Sequence, residues 1–194
     1  MAQTSTQISG QKTFKSAITV TEGCTFTSTS GTNKIAAAST SLAALSVRDL
    51  ITITGTTNNN ATFTVKSVDT NGTFITVEET VTAETSDGST DTVLTYSGFV
   101  TDKAKGDGYY SQADGLHTVS YHVDATCTGA IKMQGSLASD PDNAVDWFDI
   151  DGTSVGDGSS VVSTQYINFT GNFIWVRSAV TVETGSVTKI QLNY

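Results

Sequence analysis

Between residues 19 and 96, apolar and polar positions alternate with period two. Thr52 and Thr54 interleave with Ile51 and Ile53, Thr62 and Thr64 with Ala61, Phe63 and Val65, and the row continues through Ile75, Val77 and Val81. Successive strand side chains point to opposite faces, so each run predicts a strand with one buried face. The segments between them, GTTNNN at 55–60 and DTNG at 69–72, are turn formers, with Asn71-Gly72 supplying the positive φ of a tight hairpin. Residues 50–81 are therefore expected to form a three-stranded antiparallel meander. The segment IAAASTSLAAL at 35–45 is rich in alanine but broken by Ser-Thr-Ser, which predicts a short helix or an irregular lead-in.

The second half repeats the strand pattern with different side chains. Val119, Tyr121 and Val123 alternate with Thr118, Ser120 and His122, and Ile131 and Met133 with Lys132 and Gln134. VDWFDI at 145–150 is short and aromatic, and Val187, Ile190 and Leu192 mark a last strand. The stretch 173–182 differs. Ile174, Val176, Val180 and Val182 make one apolar row, while Phe173, Trp175 and Ala179 make the other largely apolar too. A strand apolar on both faces is either central in a sandwich or covered by another chain. Polar breaks at 86–91 (SDGSTD) and 101–108 (TDKAKGDG) frame the domain boundary, placed near residue 97. The predicted architecture is all-β. An N-terminal arm (1–18) precedes a small β-barrel or meander domain (19–97) and a jelly-roll-like antiparallel β-sandwich (98–194). The arm is polar, and is expected either to be free or to lie along a neighbouring subunit.

Composition sharpens this picture. Thirty-five threonines and a single proline in 194 residues suit pleated, half-buried strands. The formal charge of -9, without a Lys/Arg cluster, argues against a nucleic-acid partner. No run of about 18 apolar residues exists, which argues against a membrane-spanning helix. Residues 1–17 lack the apolar core of a signal peptide, so folding in a cytosol is expected. Cys24 and Cys127 fit neither a C-x-x-C nor a metal spacing and are expected to be buried thiols.

Candidate chemistry is sparse. His117 and His122 are five apart, on opposite faces of a strand, and are expected at the surface or rim. No nucleophile elbow, zinc motif or phosphate loop occurs, and no cofactor and no enzymatic activity are expected. Asp140, Asp142, Asp146, Asp149, Asp151 and Asp157 cluster, and Asp149-Ile-Asp151-Gly152 resembles the start of a calcium loop. Asp149, Asp151 and Asp157 are the calcium candidates, although the bidentate Glu of an EF-hand is absent. The alternative is that these aspartates cap turns. Trp147, Phe148, Tyr166, Phe169, Phe173 and Trp175 are candidates for core, interface or sugar stacking. Arg177, beside Trp175 by parity, is a candidate interface anchor.

Two stretches carry a resemblance. SVRDLITITGTTNNNATFTVKSVDTNGTFITV (46–77) resembles a β module of tailed-phage virion proteins, with a Gly-Asp lead-in, a strand ending in Gly, an Asn/Gly turn and two further strands. Arg48-Asp49 stands where that module has Gly-Asp, so its sharp turn lacks the glycine. IKMQGSLASDP, DWFDI, NFTGNFIWVR and KIQLNY are similar to the C-terminal domain of small virion structural proteins of marine phages, especially cyanophages. The resemblance implies a virion location after synthesis in host cytoplasm. It implies a particle component without deciding between head decoration, neck, tail and fibre; the expectation is a capsid decoration or cement-type protein, assembling as a homo-oligomer such as a trimer. Its partners would be major capsid, neck or tail proteins. The alternative is a tail or fibre component whose sandwich binds host-surface glycan.

Overall fold

The computed structural model describes residues 5–15, 19–20, 23–38, 41–85, 92–110 and 115–193. Every regular element among them is a strand, apart from one 3-10 turn at Asp107–Tyr110. In chain order the strands are β1 (Ser5–Ser9), β2 (Lys12–Thr13), β3 (Thr19–Val20), β4 (Cys24–Thr29), β5 (Thr32–Ala37), β6 (Asp49–Thr54), β7 (Thr62–Val68), β8 (Phe74–Val77) and β9 (Glu84–Thr85). They continue as β10 (Val93–Val100), β11 (Ala104–Lys105), β12 (Leu116–Val123), β13 (Thr128–Ser136), β14 (Phe148–Asp149), β15 (Gln165–Thr170), β16 (Trp175–Thr184) and β17 (Ser186–Asn193). The fold is all-β and antiparallel, and its sheets do not close into a barrel.

The chain divides into two compact units. One is Lys15–Phe99, and the other joins the described residues up to Phe14 with those from Val100 onward.

In the first unit the strand order is β10-β6-β7-β8-β5-β4-β9, with β3 also on β10. The expected meander is β6-β7-β8, and Ile51, Ile53, Phe63, Val65, Ile75 and Val77 are all buried. Thr64 breaks the alternation and is buried because the Glu79 carboxylate accepts its N–H and its hydroxyl, at 2.6 and 2.7 Å. In the turn at 69–72 only Gly72 has a positive φ (+68°), and Asp69 caps it by accepting the Asn71 and Thr73 amides. The helix allowed at 35–45 is absent among the described residues there. Ile35 instead sits on β5, which is bonded on both sides, to β4 and β8. The β4–β5 loop is Ser30-Gly31 with both residues at positive φ, the geometry whose twist matches flanking strands. Two ladders fix β5 more firmly than alanine propensity could fix a helix.

The second unit is a sandwich. One sheet runs β1-β17-β12-β15, with β2 also on β17, and the other runs β14-β13-β16-β11. Val119, Tyr121, Val187, Ile190 and Leu192 from the first sheet and Ile131, Met133, Val176 and Val180 from the second are buried. In β17 the buried positions jump from Val187 to Ile190, because a register shift opposite His122 and Val123 inserts a residue. Residues 5–13, read from sequence as part of an arm, supply strands to this sheet. β1 pairs with β17 from Ser5 opposite Asn193 onward, and Ile8 is buried. The remainder of that arm (1–4 and 16–18) and the break at 86–91 lie outside the described residues. Cys24 and Cys127 are buried and not disulfide-bonded.

Candidate functional site

Parity placed Phe173, Trp175 and Arg177 in one row, but β16 begins only at Trp175 and the row divides there. Phe173 turns toward the core, 6.0 Å from the His117 ring and 6.3 Å from Phe169. The absence of side chains at Gly135 makes room for it. A Cβ there would lie 2.7 Å from Phe173 Cδ1. Phe148, 44% exposed, closes the edge of this cluster at 5.9 Å from Phe173.

Trp175 and Arg177 stay on the outer face of β16, and this chain covers that face itself. Residues 139–147 fold back over it. Ser139 O accepts the Trp175 indole N–H at 3.0 Å, and Asn143 accepts from the Arg177 guanidinium. Arg177 also donates to Gln134 Oε1 at 2.9 Å and lies 4.1 Å from the Trp147 ring centroid. Only 5% of Arg177 is exposed. An arginine this buried needs several acceptors and an aromatic face, and it has them. The doubly apolar strand is thus central in the sandwich sheet and roofed by its own connecting loop.

Beside that roof lies a cluster not singled out from sequence. Tyr109 packs at 5.2 Å against both Trp175 and Tyr110. Lys103 stands over Trp175 at 4.6 Å and Lys105 over Tyr109 at 4.0 Å, and Asp140 pairs with Lys103 at 3.0 Å. These cations sit on aromatic faces that a sugar would need for stacking.

The calcium candidates do not converge, and no group of three or more His, Cys, Asp or Glu side chains among the described residues could hold a metal ion. Asp149 pairs with Lys132 at 2.6 Å and accepts from Gln134. Burial works against its charge, but the Lys132 and Gln134 bonds win and hold its pKa below the usual value. Asp151-Gly152 occupies a turn in which Thr153 N–H donates to Ile150 O, with Gly152 at φ +75°. Asp157 accepts the Ser160 and Ser159 amides, which lower its pKa from 3.8 to about 2. The other aspartates do similar work. Asp142 accepts the Ala144 amide, and Asp146 accepts the Asp142 amide.

His117 corrects the expectation of a surface histidine, because it is fully buried. Its parity with Val119 and Tyr121 was the available signal. Nδ1–H donates to Gly115 O at 3.0 Å, the ring stacks on Phe169 at 4.9 Å, and Nε2 lies 4.0 Å from Asp107 Oδ1. Gly106 and Gly108 donate to Ile174 O and Phe173 O, clamping the turn that carries Asp107. The 3-10 turn thus packs against β12 inside the aromatic cluster. His122 lies on the opposite face, as expected, in contact with Ser120 Oγ at 3.2 Å.

In the first unit a groove of about 380 Å³ runs beside Asn33, Lys66, Ser67 and Thr76. Several of its polar groups are already bonded within the protein. Ser67 and Thr76 hydroxyls meet at 2.6 Å, and Asn33 Oδ1 accepts from Ser28 and Val81. Nearby, Glu84 accepts the Thr57 and Asn58 amides and the Asn59 side chain, with its pKa lowered chiefly by the Thr57 bond.

No protein-family model and no curated protein matches this chain. Among the described residues, no helix is long and apolar enough to cross a membrane.

Proposed function

We propose that this protein is a structural component of a phage virion, a capsid decoration or cement-type protein that assembles as a homo-oligomer. The observation that carries the structural part is where its carboxylates point. Asp69, Asp124, Asp142, Asp146, Asp157, Glu79 and Glu84 each accept a backbone N–H of a nearby turn or strand. Groups that could perform acid–base chemistry instead brace their own turns, and Glu79 and Glu84 tie loops to strands, which stiffens two β units. The virion part is supported by the resemblance of residues 46–77 and of the C-terminal strands to phage particle proteins.

A second reading, glycan recognition by a tail or fibre component, is favoured by one observation. Tyr109 and Tyr110 are 44% and 46% exposed beside Trp175. The lysines over Trp175 and Tyr109 place it second. Two measurements test the ranking. Light scattering after size exclusion should give a discrete oligomer, and the protein should co-sediment with particles of the phage that encodes it. A stable monomer that stays off particles overturns the proposal, and saturable glycan-array binding abolished by Tyr109→Ala reverses the order.

A further inference from the structure

The ring of His117 is fully buried with one nitrogen bonded and the other not. Nδ1 lies 3.0 Å from Gly115 O, and a carbonyl only accepts, so Nδ1 carries a hydrogen. That carbonyl also accepts the Gly171 amide at 2.9 Å, and the ring lies nearly parallel to Phe169, at 8° between planes, so the imidazole is fixed in place on β12. In the neutral ring Nε2 is then an acceptor. It faces Asp107 Oδ1 at 4.0 Å, with His117 0% and Asp107 1% exposed. A neutral Nε2 and an ionised carboxylate are both acceptors, and two acceptors cannot bond one another.

We infer that His117 and Asp107 form a pH-sensitive clamp, in which a proton taken up at Nε2 makes it a donor, draws the carboxylate into an ion pair and fastens the 3-10 turn to β12. With the carboxyl ionised, protonation takes the pair from one net negative charge to none, which offsets the cost of burying an imidazolium. The closure is small. A charge-assisted N–H···O bond is about 2.7–2.9 Å long, so the carboxylate moves by roughly 1 Å. The turn already lies close to the 172–174 backbone. Gly106 and Gly108 donate to Ile174 O and Phe173 O at 2.9 Å, and a Cβ would lie 2.4 Å from Phe173 O at Gly106 and 2.6 Å from Asn172 O at Gly108. Protonation therefore tightens an existing contact rather than building a new packing. Among the described residues, β15 brings Phe169 against the ring, the connection to β16 brings Phe173, and the turn brings Asp107, the titratable group of the three. Tyr121, on the same face of β12, has its hydroxyl bonded to Thr153 O. What the clamp governs is the outer end of the turn, where Tyr109 and Tyr110 are exposed and Tyr109 packs on Trp175 beneath Lys105. Acid fixes that aromatic surface, and the hold is lost as pH rises through the range in which imidazoles release a proton.

The clamp is independent of the proposed function and stands or falls by itself. The test follows the wild-type protein by NMR between about pH 8 and about pH 5, the interval in which an ordinary histidine titrates. Imidazole nitrogen shifts report the protonation of His117. Exchange protection of the Gly106, Gly108 and Tyr109 amides, corrected for intrinsic rate, reports the hold on the turn. Expected is a protonation step across which protection rises by roughly tenfold, the worth of one charge-assisted bond. A ring still neutral at about pH 5, or one that protonates with protection unchanged, overturns the clamp. Asp107→Asn separates the pair from every other titrating group. Its amide can donate to the neutral Nε2, so protection of the turn should lose its dependence on pH. His122, the other histidine, is untouched in that variant. A pH dependence that survives in Asp107→Asn belongs to His122 or to surface carboxylates and overturns the pairing.

Discussion

Thr153 offers the sharpest test of how the sandwich is held together. It is fully buried, and its hydroxyl replaces a strand partner at the edge of β13. Oγ1 accepts the Met133 N–H at 3.0 Å and donates to Ile150 O at 2.6 Å. Its own carbonyl accepts the Tyr121 hydroxyl at 3.1 Å, tying the turn to the facing sheet. Thr153→Val keeps the shape and removes the hydroxyl, orphaning the buried Met133 amide. An unsatisfied buried donor costs about 1–3 kcal/mol, and the donor bond to Ile150 O is lost as well, so a net loss of about 2–3 kcal/mol is expected. Thr153→Ser keeps the hydroxyl and loses one buried methyl, for about 1 kcal/mol. At roughly 2–4 °C per kcal/mol for a chain of this size, the Val variant should melt about 4–12 °C below wild type, and the Ser variant only a few degrees below. Trp147 and Trp175, the only two tryptophans, lie in the same unit as Thr153, so their fluorescence in urea follows that unit. The hydrogen-bond argument requires Val to be worse than Ser. If packing dominated, the order would invert, and a Val variant within about 0.5 kcal/mol of wild type refutes the reasoning.

Other consequences are equally direct. Gly135→Ala should destabilise by about 1–3 kcal/mol by overpacking Phe173, and in urea melts the cost should shrink markedly in a Phe173→Leu background. Arg48 holds φ +74° at the position where the resembled module has glycine, so Arg48→Gly should raise the melting temperature, by at most about 1–2 kcal/mol in stability. Arg177→Lys keeps the charge but loses the planar stack on Trp147 and the fork to Gln134 and Asn143, and should cost about 1–2 kcal/mol with an altered Trp emission. The Asp157 pKa is depressed, so the loop bonds it makes are fully present above the ordinary value of 3.8 and are lost as pH falls through about 2. Carbon-detected NMR should place its midpoint near 2, and a midpoint near 3.8 would show that the Ser159 and Ser160 amides do not bind it.

Much of the fold was written in local pattern. The β6-β7-β8 meander followed from isoleucine, phenylalanine and valine alternating with threonine, because a strand with one buried face needs that period and little else. The aspartate turns of the second unit were also legible, since Asp and Gly bond and bend the backbone within a few residues. The interface candidates were legible as residue types, but the loop that crosses two of them was not. Trp175 and Arg177 look like an assembly surface until residues 139–147 are seen folded across them.

What the sequence alone determined is therefore the class of element and the solvent or core preference of each alternating row. Tertiary structure decided what local pattern does not carry. Residues 35–37, the start of the alanine-rich segment, became part of a strand because two neighbours supply ladders, and residues 5–9 became a sheet edge because β17 offered an open side. Phe173 left its row where β16 begins. Each of these depends on a partner distant in sequence, and a hydrogen bond or ring contact to a distant partner leaves no periodic trace in the segment that receives it.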